Sequence, residues 1–169
     1  MNLTHIVVMG VAGCGKSTVA AGLAERLGWP FGEGDDLHSE ANRAKMLAGT
    51  PLGDDDRAPW LAALRDWLSA QADSGRSSVL ACSALKQRYR DVLREARGEV
   101  IFVHLAPPTD VNAARIAARE GHYMPAILLE SQLEALEELA PEEEGIVLRS
   151  GGTPEEIVDE VLQQLQLRA

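Results

Sequence analysis

Residues 7–20 read VVMGVAGCGKSTVA, an unbroken apolar run that gives way to Gly10, Gly13 and Gly15 and then offers Lys16-Ser17. Gly10 to Ser17 fit the pattern GxxxxGK[ST] without a mismatch, and they stand after a strand-like run and before a helical one. Glycines at these positions let the backbone curl until successive N–H groups point inward at phosphate oxygens. The helix that follows adds its positive end. In such a loop the lysine supplies a full charge to the β- and γ-phosphates, and the serine hydroxyl ligates Mg²⁺. The loop therefore specifies a nucleoside triphosphate site, with Gly10, Gly13, Cys14, Gly15, Lys16, Ser17 and Thr18 as its wall. It does not specify what becomes of the phosphate.

The rest of the chain alternates strand-like and helical stretches. Strands are expected at Thr4–Met9, Trp29–Gly32, Ser78–Cys82, Val100–Leu105 and Ile146–Leu148. Several are continuous apolar runs, as in strands covered on both faces. Helices are expected over 15–27, 58–73, 84–97 and 109–120. A last helix is announced by Thr153-Pro154-Glu155-Glu156, a capping box with proline at the first helical position. The alternation predicts an α/β domain with a parallel sheet, whose ligands sit at the carboxyl ends of the strands.

At 169 residues the chain is read as one domain, 1–169. Two cysteines, Cys14 and Cys82, make no disulfide framework and imply reduced thiols in the cytoplasm. No apolar run approaches the ~20 residues that span a bilayer. The net charge of −10 argues against a nucleic acid partner. It leaves room for a small anion, because Lys86, Arg88, Arg90, Arg94 and Arg97 crowd one short segment.

Four segments bear on the acceptor. In GEGDDLHSEANRAKM (32–46), Asp35 or Asp36 at the end of the second strand could orient a hydroxyl and accept its proton, with His38 nearby. In GTPLGDDDRAPWL (49–61), Asp54–Asp56 suit a helix start and Arg57 is a candidate contact. In ACSALKQRYR (81–90), Lys86 and Arg90 lie one turn apart at a helix N-terminus, against the dipole, which suggests an anion between them; an exposed basic face is the alternative. In ARIAAREGHYM (114–124), Arg115 and Arg119 run into Gly121-His122. Such an arginine, closing over the γ-phosphate, is worth roughly 10³–10⁵ in rate. Together these predict a small phosphotransferase with a short lid and an anionic acceptor, and they leave other small-metabolite kinases and a slow nucleotide-dependent switch open.

The segments MGVAGCGKSTVA, GDDLHSEANRAKM, GTPLGDDDRAPWL, CSALKQRYRDVLRE and REGHYMPAILLESQLEALE follow one another as in the small gluconokinases, and the chain resembles that family from about residue 5 to 138. The resemblance implies a P-loop NTPase fold of the nucleoside-monophosphate-kinase and shikimate-kinase type, with a five-stranded parallel sheet and a lid near 115–135. It implies ATP and Mg²⁺ as cofactors, D-gluconate as acceptor, 6-phospho-D-gluconate as product, and a homodimer. By resemblance, Asp35 is the base, Lys86 and Arg90 are the substrate-side cations, Arg119 is the lid arginine and Arg115 lies beside the adenine. His38, Lys45, Arg57, His122 and Gln132 match motif positions on the substrate side. The chain departs from the family pattern at Cys14 (a serine is usual), Leu133 (phenylalanine) and Leu139 (proline). It also departs at Arg149-Ser150-Gly151-Gly152, where an adenine-side loop with an acidic residue is expected; this departure leaves the choice of ATP over other triphosphates loose.

Overall fold

The computed structural model describes residues 3–11, 13–50, 52–108, 111–112, 114, 127–149 and 152–167. Five strands form one parallel sheet: β1 (Thr4–Met9), β2 (Phe31–Glu33), β3 (Ser78–Ala81), β4 (Glu99–Leu105) and β5 (Gly145–Leu148). Their order is β2-β3-β1-β4-β5. In register, Val7 of β1 stands between Leu80 and Phe102, and Val103 faces Ile146. The chain leaves β1 toward one edge and later returns to its other side as β4, so the loop after β1 occupies the switch point where such sheets bind ligands.

The expectation of strands covered on both faces holds. Ile6 and Val8 pack with Val79, Val103, Val19 and Leu23, under the helices α1 (Lys16–Leu27) and α6 (Pro154–Gln164). Val7 and Met9 point the other way, onto Leu64, Leu68 and Leu93 of α3 (Asp54–Asp73) and α4 (Gln87–Arg94). Alternate β1 side chains thus enter opposite cores, and each buried Leu or Val contributes roughly 1.5–3 kcal/mol. The α6 capping box forms as expected: Thr153 Oγ1 accepts from the Glu156 N–H at 3.2 Å, and Glu156 Oε1 accepts from the Thr153 N–H at 3.0 Å.

The structure redraws several boundaries. Helix α3 starts at Asp54, ahead of its apolar stripe, because the three aspartates suit its positive end and Asp56 Oδ2 accepts from the Gly53 N–H at 2.9 Å. Pro59 is accommodated inside it. Helix α4 begins only at Gln87, since Ala84 takes φ 45° and holds the preceding loop out of helix. Two helices escaped the sequence reading: α2 (Glu40–Leu47), capped by Ser39, and α5 (Ile127–Ala135). Of the expected lid, only α5 falls among the described residues; Arg115, Arg119 and His122 lie outside them. Among the described residues no helix is long and apolar enough to cross a membrane.

Candidate active site

The loop after β1 closes as its glycines require. Gly13 adopts φ 80°, and a Cβ there would stand 2.5 Å from the Asn112 carbonyl oxygen. Lys16 opens α1, so the loop amides and the helix N-terminus face one place. Clefts lie on both sides. One is lined by Cys14, Gly15, Thr18 and Val19 with Gly152, Pro154 and Ile157. The other holds Lys16, Asp35, His38, Arg57, Trp60 and Gln132 among its walls. Lys16 of the loop faces the second cleft, and the loop's Gly15 with Thr18 of the first helical turn faces the first. The structure thus brings together Lys16, Asp35, His38, Arg57 and Gln132, which stand far apart in sequence.

The second strand's end is built by a close approach. Gly34 starts a 3₁₀ turn (Gly34–Leu37), and a Cβ there would meet the Ala81 carbonyl oxygen at 2.5 Å. Its own carbonyl accepts from Trp60 Nε1 at 2.7 Å. That indole underlies His38, whose ring stacks on it at 4.1 Å and 14°. Asn42 Nδ2 donates to the Asp56 carbonyl at 2.8 Å and lies 3.2 Å from His38 Nδ1. The first bond fixes the amide orientation, so Nδ1 is the acceptor and Nε2 carries the hydrogen. Burial lowers the His38 pKa to about 4, which keeps the ring neutral at pH 7. His38 thus offers one N–H donor in a fixed orientation. Asp36, by contrast, is exposed.

Glu33 was missed by the sequence reading, which ended the strand one residue early. Its carboxylate accepts from the Ser17 hydroxyl, and burial, the largest effect, raises its pKa despite that bond. Its Oε1 is buried and has no partner among the described residues. Ser17 and Glu33 are hard oxygen donors beside the phosphate loop, and the orphaned oxygen is what a hydrated divalent cation would satisfy. The pair fits Mg²⁺. A signal was available, because Glu33 is a carboxylate two residues before Asp35 at the same strand end.

The cations divide sharply. Arg57 lines the second cleft and also an adjoining one, where Lys86 and Gln132 join it. Lys45 is engaged by both oxygens of Asp56, at 2.9 and 3.0 Å. Arg90 overturns the expectation that it shares an anion with Lys86. Its side chain is fully buried, with Nε 2.8 Å from Glu143 Oε1, Nη2 3.0 Å from Oε2, and Nη1 2.8 Å from the Ala84 carbonyl. Arg94 and the Ala140 N–H complete the shell of Glu143, whose pKa falls to about 2 although burial alone would raise it. Arg90 braces the loop 82–86 from beneath; Lys86, the N-cap of α4, faces Asp54 at 3.6 Å instead.

Known proteins share this fold. The model of an AAA domain family matches residues 6–139. A gluconokinase of Gluconobacter oxydans (strain 621H) is 50% identical over 163 residues, covering 95% of this chain and 90% of that protein. Among solved structures, a gluconokinase from Sinorhizobium meliloti 1021 superposes with a TM-score of 0.86 at 46% identity, covering 96% of this chain and 91% of that one. A sugar kinase from Janibacter sp. HTCC2649 gives 0.93 at 50% identity, covering 98% and 95%. Identity this high, sustained across almost the whole of both chains, leaves one conclusion: the chain is a P-loop kinase and belongs to the gluconokinase family.

Proposed function

We propose that this protein transfers the γ-phosphoryl group of ATP to the terminal hydroxyl of D-gluconate, giving ADP and 6-phospho-D-gluconate. The observation that carries the reading is the cleft in which Lys16 of the phosphate loop and Asp35 of the second strand share walls with Arg57. It pairs a phosphate-binding lysine with a carboxylate able to take a hydroxyl proton, and it has a cation for an acidic acceptor. Asp35 orients the hydroxyl in line with the γ-phosphate and accepts its proton. His38 Nε2–H and Gln132 hydrogen-bond the polyol. Lys16, and Arg119 from the lid, take up charge on the transferring group. Ser17 and Glu33 would hold Mg²⁺, which would supply positive charge against the developing negative charge of the phosphates.

The test is ADP release, coupled to NADH oxidation, across D-gluconate, shikimate and AMP. Stimulation at least a hundredfold greater with D-gluconate supports the reading. Preference for another acceptor, or a constant slow release without any, overturns it. A homodimer belongs to the same reading, and light scattering on the purified protein decides it.

A further inference from the structure

With Arg90 committed to Glu143, the cleft needs another group to receive the acceptor's carboxylate. Arg57 rises from the first turn of α3. Its Nη1 donates to the Leu52 carbonyl at 2.7 Å and to the Tyr89 hydroxyl at 3.2 Å. Both of its hydrogen bonds among the described residues thus engage one nitrogen, and the other edge of the guanidinium fork stays available where the two clefts meet. Tyr89 is nearly buried, and its ring lies 5.3 Å from the Arg57 guanidinium carbon. Its hydroxyl donates in turn to Asp54 Oδ1. That carboxylate is held ionised first by this bond, and then by Arg88 and Lys86. The order matters: because the phenol gives its hydrogen to Asp54, its oxygen must accept from Arg57, so the pair sets both the position and the rotation of the guanidinium.

The geometry points to Tyr89 as a positioning residue, acting with Asp54 to hold Arg57 as the receptor for the acceptor's carboxylate. The inference rests on the sugar-acid reading above. A guanidinium fork prefers two parallel N–H···O bonds to a carboxylate, and a planar group free to rotate loses that advantage. Tyr89 is not among the walls of either cleft, so its hydroxyl acts through Arg57.

A double-mutant cycle on the full-length enzyme tests this, read as kcat/KM for D-gluconate with the KM for ATP as control. Arg57→Met is expected to lose about 100-fold and Tyr89→Phe, which removes only a hydroxyl, about tenfold, both through the gluconate KM. The pair together should lose about 100-fold, because without Arg57 the hydroxyl has nothing to position. Wild-type ATP affinity and melting temperature should persist in Tyr89→Phe. A loss near 1,000-fold in the double variant overturns the proposal, since the effects would then be independent. An unchanged gluconate KM in Arg57→Met also overturns it. Should Tyr89→Phe melt more than about 5 °C below wild type, Asp54→Asn replaces it in the cycle, with the same two outcomes. Failure of the underlying reading looks different: the wild-type enzyme itself would ignore D-gluconate.

Discussion

Replacing Arg90 by alanine separates a brace from a substrate contact. The guanidinium makes four hydrogen bonds, two to Glu143 and one each to the carbonyls of Ala84 and Glu138. Removing one member of a buried ion pair costs about 3–5 kcal/mol, because the other charge stays buried and uncompensated. Here Arg94 and the Ala140 N–H remain on Glu143, which holds the expected loss near the lower end, about 3 kcal/mol. For a chain of this length each kcal/mol lowers the melting temperature by about 2–4 °C, so a fall of ~6–12 °C follows. Urea unfolding at pH 7, followed by circular dichroism, reads the stability; initial rates read both Michaelis constants. Arg90→Met/Glu143→Leu, which removes both charges, should be more stable than Arg90→Ala. The reasoning fails if Arg90→Ala unfolds at the wild-type urea midpoint while its gluconate KM rises tenfold and its ATP KM does not move. Arg90 would then reach the substrate.

Two further outcomes are expected. Asp35→Asn should lower kcat at least a hundredfold and leave nucleotide affinity, measured by calorimetry, within twofold; activity above a tenth of wild type rules out Asp35 as the base. Stability should fall as pH drops from 6.5 toward 4. Burial lowers the pKa values of His38 and His104 to about 4, so the unfolded chain binds protons that the folded one refuses. Each contributes stability fully present above 6.5 and lost at about 1.4 kcal/mol per pH unit below it. Urea midpoints at pH 7, 6 and 5 check this, and a flat series contradicts it.

What the sequence by itself determined is local. The phosphate loop is eight contiguous residues whose glycines serve backbone geometry, so its place between strand and helix and its ligand were legible at once. The same holds for the Thr153 capping box and for the unbroken apolar strands, whose alternate side chains must enter two cores. The tertiary structure decided matters that depend on partners distant along the chain. Arg90 and Lys86 look alike in sequence; only the arrival of Glu143, 53 residues on, buries one of them. Glu33 carried no signal of its own beyond the end of the expected second strand, and only the fold sets Ser17 of α1 against it. Arg57 meets the Tyr89 hydroxyl, 32 residues away, only in the fold. A side chain's charge is written in its own letter, but whether that charge meets water, a counter-ion or a substrate depends on what folding packs around it.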